Sequence, residues 1–390
     1  MGGAGRAAVR SVRALKSIGI DAMLISREEA LNMAVKENKF DKFIISSFSS
    51  ALTFGQKTLV QNSDELITSF SFDILQSARG LKEIVKDFDV VHLHAAYNFF
   101  RSSKIMEWLH DVPLAITLHD QRLLTGGCHY STDCLGLFSN CSTCPKVRKF
   151  ARKSVKNRKS QIRSAILNSN KKRLHLIAPS QWMKNVIEST PECREVLSSV
   201  VYNCVPDSFF RKSNLGHGKA KIPKVGIVAN DVLSPYKGFD FFLKGVSYFS
   251  KNHGVSVDIV VVTKHAKKMN QNDIAVRVIS PKSDTDYLEI LDELTVVCVP
   301  SLIDNSPNVI IEALARRIMV LASNAGGTGE IPDHMGISTF EYGNLEDFSD
   351  KLAAALAGNQ TSEEQNLLLS NFVSETAHAS KLKEIYDSMI

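Results

Sequence analysis

No apolar run in this chain of 390 residues approaches the ~18–20 residues that cross a bilayer as a helix. Nothing near Met1 has the charged, apolar and small-residue succession of a secretory signal, so the chain is expected to stay in the cytoplasm. A cytoplasmic chain should hold no permanent disulfides, which leaves its seven cysteines to packing, redox chemistry or metal. Acidic residues are missing from residues 146–173, which carry 12 Lys or Arg, whereas the rest holds 35 bases against 41 acids. The net charge of +6 therefore comes from one segment. That segment also lacks aromatics apart from Phe150. Single-strand binders interleave stacking rings with their charges, so no nucleic-acid partner is expected.

What is present suits a soluble α/β protein: 44% hydrophobic and 23% charged residues, in a chain long enough for two domains. Strand-like apolar runs occur at Ala22 to Ile25, Val90 to Leu93, Leu114 to Leu118, Leu174 to Ala178 and Ser199 to Tyr202. The second half repeats them at Val225 to Ala229, Val257 to Val262, Ala275 to Ile279, Val296 to Pro300 and Ile318 to Ala322. Helical patterns separate them, as at Ser71 to Phe88 and Gln181 to Ile187, and strands alternating with helices predict parallel sheets covered on both faces. Residues 207–223, with Gly216, Gly218 and Pro223, read as a linker between domains 1–206 and 224–373; residues 374–390 form a final helix. A ligand site is expected between the domains, outside the carboxyl ends of strands. In residues 146–173, Val147, Ala151, Val155, Ile162 and Ile166 recur at steps of four or seven. The basic amphipathic helix they imply fits either an anionic membrane surface or a solvated face.

The segment Val297 to Glu330 carries the most chemistry. A strand leads into a polar loop, Ser306 reads as a helix N-cap with Pro307 first in the helix, and a second strand ends at Gly326-Gly327-Thr328-Gly329. Asp304 and Glu312, eight positions apart, flank the backbone of Asn305 to Asn308. Backbone donors and a helix dipole suit phosphate, and carboxylates suit sugar hydroxyls. An ordinary βαβ unit with solvated acids would share much of this pattern. Lys237-Gly238 opens another helix soon after the strand ending near Asn230, a good place to neutralise a diphosphate. His119 and Asp120 stand at the carboxyl end of a buried strand, where they read either as sugar-orienting groups or as a structural pair. Cys128, Cys134, Cys141 and Cys144, spaced C-x5-C-x6-C-x2-C with His129 as a substitute, suit either a structural zinc or buried free thiols.

Asp304-x7-Glu312, Lys237-Gly238 and the stretch TLHDQRLLTGGCHY together resemble retaining, family-4-type glycosyltransferases, closest to the bacterial exopolysaccharide and colanic-acid subgroup. The resemblance implies the GT-B fold: two Rossmann-like domains facing each other across a cleft, with the C-terminal helix returning to the first. It implies a nucleotide-diphosphate sugar donor (UDP or GDP), no cofactor for catalysis, and a lipid-linked glycan acceptor at the inner membrane, with residues 146–173 helping to dock. Glu312 would hold ribose hydroxyls, Asp304 and residues 305–308 the donor sugar, Lys237 the departing diphosphate, and His119 the donor sugar or its phosphate. Gly3 and Gly5 would form a glycine loop that admits the donor; the strand that precedes this loop in the family has no counterpart after Met1. The family's basic partner before Lys-Gly is also missing, since Tyr236 and Val232 stand there. A non-catalytic scaffold of the same fold is the alternative these departures allow.

Overall fold

The computed structural model describes residues 3–25, 70–71, 85, 87–94, 112–131, 134–211, 222–264, 276–331, 333–358 and 361–390. Contacts divide the chain into two compact units, Met1–Ile18 with Tyr202–Ala379, and Gly19–Val201 with Ser380–Ile390. This departs from the boundaries expected from sequence. The first helix, α1 (Gly3–Ser17), belongs to the unit built by the second half of the chain, because its polar side chains are bonded there. Arg10 reaches Glu312, Ser11 reaches His378 and Arg13 reaches Glu375.

The unit of residues 19–201 and 380–390 holds a parallel sheet in the order β1 (Val91–His94), β2 (Leu114–Thr117), β3 (Leu174–Ala178), β4 (Leu197–Val200). Two helices follow from strong local signals: α2 (Arg152–Leu167), and α3 (Gln181–Ser189), whose start is capped by Ser180 Oγ accepting from the Met183 N–H at 3.0 Å. Residues 22–25, expected as a strand, lie in no strand, and most of the helix expected at 71–88 lies outside the described residues.

The other unit holds a six-stranded parallel sheet made of β5 (Lys224–Val228), β6 (Asp258–Val262), β7 (Val276–Ile279), β8 (Val296–Val299), β9 (Met319–Ser323) and β10 (Ile337–Phe340). Its order is β10-β9-β8-β5-β6-β7, the doubly wound Rossmann order. Both faces are covered, so the strands read as continuous apolar runs. Val297 and Val299 pack into one core layer, and Val296 and Cys298 into the other. The crossover helices are α4 (Phe239–His253), α5 (Asp284–Asp292) and α6 (Asn308–Ala315); α7 (Leu345–Ala357), α8 (Glu363–Val373) and α9 (Glu375–Asp387) follow the last strand. Every residue of α6 is buried, which an eight-residue NVIIEALA helix can sustain because Glu312 is its only ionisable group. Strand β10 was not expected from sequence, for Ile337-Ser338-Thr339-Phe340 is too short to show a period.

The basic segment turns its apolar stripe inward. Val147, Ala151, Val155, Ile162 and Ile166 are all buried within the protein, so this apolar stripe is not available to enter a membrane. Lys159 and Arg158 also turn inward: Lys159 pairs with buried Glu192, and Arg158 donates to the Gly126 carbonyl at 3.3 Å. Only the outer basic residues, among them Arg148, Lys149, Lys153 and Lys156, face solvent, together with Phe150 at 69% exposure.

Candidate active site

In the six-stranded sheet the order reverses between β5 and β8, and loops leaving such a switch point diverge to open a crevice. The loop after β5 carries Asn230 and then a short 3-10 turn, Pro235–Lys237. Gly238 closes that turn at φ 70°, and a Cβ there would lie 1.8 Å from the Pro300 carbonyl oxygen. The Leu302 N–H donates to the Tyr236 carbonyl at 2.8 Å. Together these contacts lay the turn on the end of β8, where Lys237 Nζ donates to Asp304 Oδ2 at 2.5 Å. Burial by itself pulls the Lys237 pKa down, but the Asp304 carboxylate outweighs it, so the net direction is up and the group is a cation.

Asp304 is itself fixed from the far side. The Gly327 N–H donates to its carbonyl at 2.9 Å, and Gly326, at φ 66°, lies so close that a Cβ would stand 2.2 Å from the same oxygen. Its Oδ1 accepts from the Asn305 N–H at 2.9 Å. The Asn230 carbonyl accepts from Thr263 Oγ1 at 3.1 Å and from the Lys264 N–H at 3.2 Å, tying its loop to the end of β6. Lys237, Asp304, Asn305, Gly326 and Gly327 thus form one contiguous group.

Three sequence expectations change here. Helix α6 starts at Asn308, with Pro307 in the N-cap position at φ −68° and ψ 115°, and neither Pro307 nor Ser306 caps it with a side chain. Ser306 instead offers its carbonyl to Asn203 Nδ2 at 3.3 Å, and the Asn308 amide is committed, accepting from Asn203 Nδ2 at 2.9 Å and donating to the Gly3 carbonyl at 3.3 Å. Gly3 and Gly5 lie within α1 rather than in a loop, because the helix runs from Gly3 itself.

Glu312 shows the largest departure. Its side chain is 0% exposed; Oε1 accepts from Arg10 Nη2 at 2.7 Å and Oε2 from the Tyr287 hydroxyl at 2.6 Å. Burial pushes its pKa up, but Arg10, then Arg6 and Tyr287, outweigh burial and hold it below the ordinary value. Both oxygens accept a hydrogen bond from the protein and the side chain is fully buried, so in this state no solvent-facing oxygen of Glu312 meets a ribose. Arg10 and Tyr287 were not singled out from sequence; only the one-turn spacing of Arg6 and Arg10 on α1 was visible, and it names no partner.

In the other unit, the ends of β1 and β2 carry His92, His94, Thr117 and His119. His94 Nδ1 and His119 Nε2 lie 3.0 Å apart, the His92 and His94 ring centroids lie 4.2 Å apart with the rings tilted by 40°, and His92 bonds Thr117 Oγ1 at 2.7 Å and the Tyr386 hydroxyl at 2.6 Å. Asp120 does not join them. Its Oδ1 accepts from the Arg122 N–H at 2.9 Å, its Oδ2 pairs with Arg122 Nη2 at 2.7 Å, and it caps the 3-10 turn Gln121–Leu123. Burial raises its pKa and Arg122 more than reverses that, so the carboxylate is held below its ordinary range by Arg122.

Comparison with known proteins accords with this geometry. Residues 1–209 match the family described as Glycosyltransferase Family 4, and residues 222–358 match Glycosyl transferases group 1. The chain belongs to glycosyltransferase family 4. A curated relative of this family-4 glycosyltransferase is the putative colanic acid biosynthesis glycosyl transferase WcaC of Escherichia coli K12, 21% identical over 313 residues, covering 70% of this chain and 74% of the relative. Among solved structures, a glycosyltransferase from Rickettsia africae superposes with TM-score 0.57 at 16% identity, over 79% of each chain. Anabaena HepE in complex with UDP superposes with TM-score 0.58 at 14% identity, over 79% of this chain and 81% of its own. These likenesses establish the GT-B class, two Rossmann-like domains. Among the described residues, no helix of this family-4 protein is long and apolar enough to cross a membrane, and no three His, Cys, Asp or Glu side chains are gathered tightly enough to hold a metal ion.

Proposed function

We propose that this family-4 glycosyltransferase transfers a sugar, with retention, from a UDP- or GDP-sugar to a lipid-linked glycan in bacterial exopolysaccharide synthesis. The observation that carries the proposal is the Lys237–Asp304 pair, held at the switch point by Gly238 and Gly326. Without a donor the two charges neutralise each other. A donor would exchange the partners: its diphosphate takes Lys237, and a sugar hydroxyl takes Asp304. The N–H groups that open α6 add donors toward the phosphates. As the bond to the leaving diphosphate breaks, Lys237 and these dipoles hold the charge that develops on it. Among the described residues no carboxylate stands out as a covalent nucleophile, so the acceptor hydroxyl attacks on the face the diphosphate leaves, through an oxocarbenium-like state that needs no metal, and its proton passes to the departing diphosphate. His119, oriented by His94, is assigned to the donor sugar. UDP is the first donor base to test, since HepE was solved with it. For membrane docking the basic outer face of α2 and residues 146–151 acts by charge alone, because the apolar stripe is spent in the core.

Glu312 takes the ribose hydroxyls only if Arg10 or Tyr287 releases an oxygen. Its occupied state favours the second reading, a non-catalytic scaffold. Titrating the protein with UDP, GDP and their sugars while recording the melting temperature separates the two. The enzyme predicts a selective rise with one diphosphate series, and a loss of about 10²–10³ in kcat on Lys237→Ala with the fold intact. No rise with any nucleotide, in folded protein, establishes the scaffold.

A further inference from the structure

Two contacts fix how α1 lies on α6. The Gly3 carbonyl accepts from Asn308 Nδ2 at 3.3 Å, and Arg10 Nη2 donates to Glu312 Oε1 at 2.7 Å. Asn308 and Glu312 are one turn apart on α6, and positions 3, 6 and 10 fall on one side of α1 at helical spacing. Arg6 therefore stands between the two contacts, over the first turn of α6. Helical side chains lean toward the N-terminus of their own helix, so the Arg6 side chain runs back toward Gly3 and the start of α6. The turn that carries Asp304 and Asn305 leads into that start.

The surroundings of Arg6 leave its charge unmatched. Its Nε is buried and, among the described residues, has no hydrogen-bond partner. The guanidinium is close enough to act on its neighbours: burial and then Glu312 push the Tyr287 pKa up, and Arg6 opposes them ahead of Arg10. Glu312 is matched without it, since Oε1 accepts from Arg10 Nη2 and Oε2 from the Tyr287 hydroxyl. Lys237 is matched by Asp304, and the first turn of α1 holds no acid. Arg6, Arg10 and Lys237 thus stand against two carboxylates, Asp304 and Glu312, which leaves one positive charge over. A buried guanidinium N–H without an acceptor weakens a fold, and its usual explanation is an anion that the chain itself does not supply.

We propose that Arg6 binds a phosphate of the nucleoside-diphosphate sugar, adding a second cation to Lys237 at the start of α6. The inference rests on the donor reading given above and extends it to a residue of the first helix. A guanidinium suits the task, because its paired N–H groups match phosphate oxygens and its charge persists at every working pH. A nucleoside diphosphate carries more negative charge than one lysine offsets, and Lys237 must first leave Asp304. Arg6 Nε gives up no hydrogen bond to receive the phosphate. Arg10 stays on Glu312 and takes no part in this contact. In the ligand-free protein the Arg6 charge is unsatisfied, so removing it relieves the fold instead of harming it.

Calorimetric titration of the full chain with UDP, GDP and the corresponding nucleosides, in the parent, Arg6→Gln and Arg6→Lys, tests it. With the diphosphate that the parent binds, Arg6→Gln is expected to weaken binding by about 10- to 100-fold, as loss of a charge-assisted contact does. Arg6→Lys keeps the charge without the planar fork and should fall between the two. The nucleoside, which has no phosphate, should bind all three proteins alike. Without ligand, Arg6→Gln should melt at or above the temperature of the parent. Equal affinity of parent and Arg6→Gln for the diphosphate overturns the role of Arg6 and leaves the donor reading standing. So does a ligand-free Arg6→Gln that melts several degrees lower and loses nucleoside and diphosphate alike, since that marks Arg6 as a structural partner of Glu312. A parent that binds neither diphosphate overturns the donor reading, and this inference with it.

Discussion

The Arg10 guanidinium and the Glu312 carboxylate, 302 positions apart in the chain, meet at 2.7 Å with Glu312 fully buried and Arg10 only 11% exposed. Removing one member of a buried pair leaves the other charged and unpaired, at a cost of about 3–5 kcal/mol. Glu312→Ala is therefore expected to unfold at markedly lower denaturant than the parent, whereas Glu312→Gln, which keeps the shape and one hydrogen bond, costs less. The folded Glu312 pKa lies below its unfolded value, so this stability is complete above the ordinary carboxylate range and is lost as pH falls through the folded value. Chemical denaturation from pH 7 to 3 checks it: the Gln variant should show a flatter acid limb.

Gly238 and Gly254 have nearly the same backbone, φ 70° and 65°, in different surroundings. Nothing lies within 4 Å of a Cβ at Gly254, so Gly254→Ala is expected to cost only the left-handed penalty of about 1–2 kcal/mol. At Gly238 the added carbon meets the Pro300 carbonyl, and relieving it means moving the turn that carries Lys237. Gly238→Ala should cost roughly twice as much or more and should also abolish turnover. Equal losses of melting temperature in the two variants would contradict the placement of that turn.

His378 is buried, with Nε2 against Ser11 Oγ at 2.8 Å and Nδ1 against the Tyr202 carbonyl at 2.8 Å. Burial pushes its pKa down to about 4, from an ordinary value of 6.5. The unfolded chain thus takes up a proton that the folded one refuses, and stability falls as pH drops from 6.5 toward 4, by on the order of 3 kcal/mol in all. His378→Gln should remove most of this slope, measured as the midpoint of denaturation across that window.

His119 takes its orientation from His94. His119→Ala is expected to lower kcat by about 10²–10⁴, the usual span for a positioned acid–base or polar group. His94→Asn, which can still bond His119 Nε2, should retain far more activity than His94→Ala, with KM little changed in either. Equal activity in the Asn and Ala variants would remove His94 from this role.

Much of the fold was legible locally. Among the described residues, nine of the ten strands overlap runs expected from sequence, since a strand buried on both faces is a short apolar run between polar loops. Asp304, Lys237 and the Gly326–Gly327 loop were likewise readable, because strand ends and helix starts are marked by polar residues and glycine. Other features depended on neighbours that no local pattern specifies. Asp120 was read beside His119, and the structure pairs both its oxygens with Arg122 instead. The stripe Val147 to Ile166 looked like a membrane face until it was found in the core.

The alternation of apolar runs and helical periods was enough by itself to determine parallel α/β sheets in a chain long enough for two domains, and the resemblance of its motifs implied the two Rossmann-like domains and a candidate site at Lys237 and Asp304. Only the tertiary structure decided that α1 packs in the unit containing Glu312, and that Arg10 and Tyr287 close both oxygens of that carboxylate. The physical reason is that periodicity reports which face of an element is buried. Which charge it meets there depends on the crossovers that bring distant segments together.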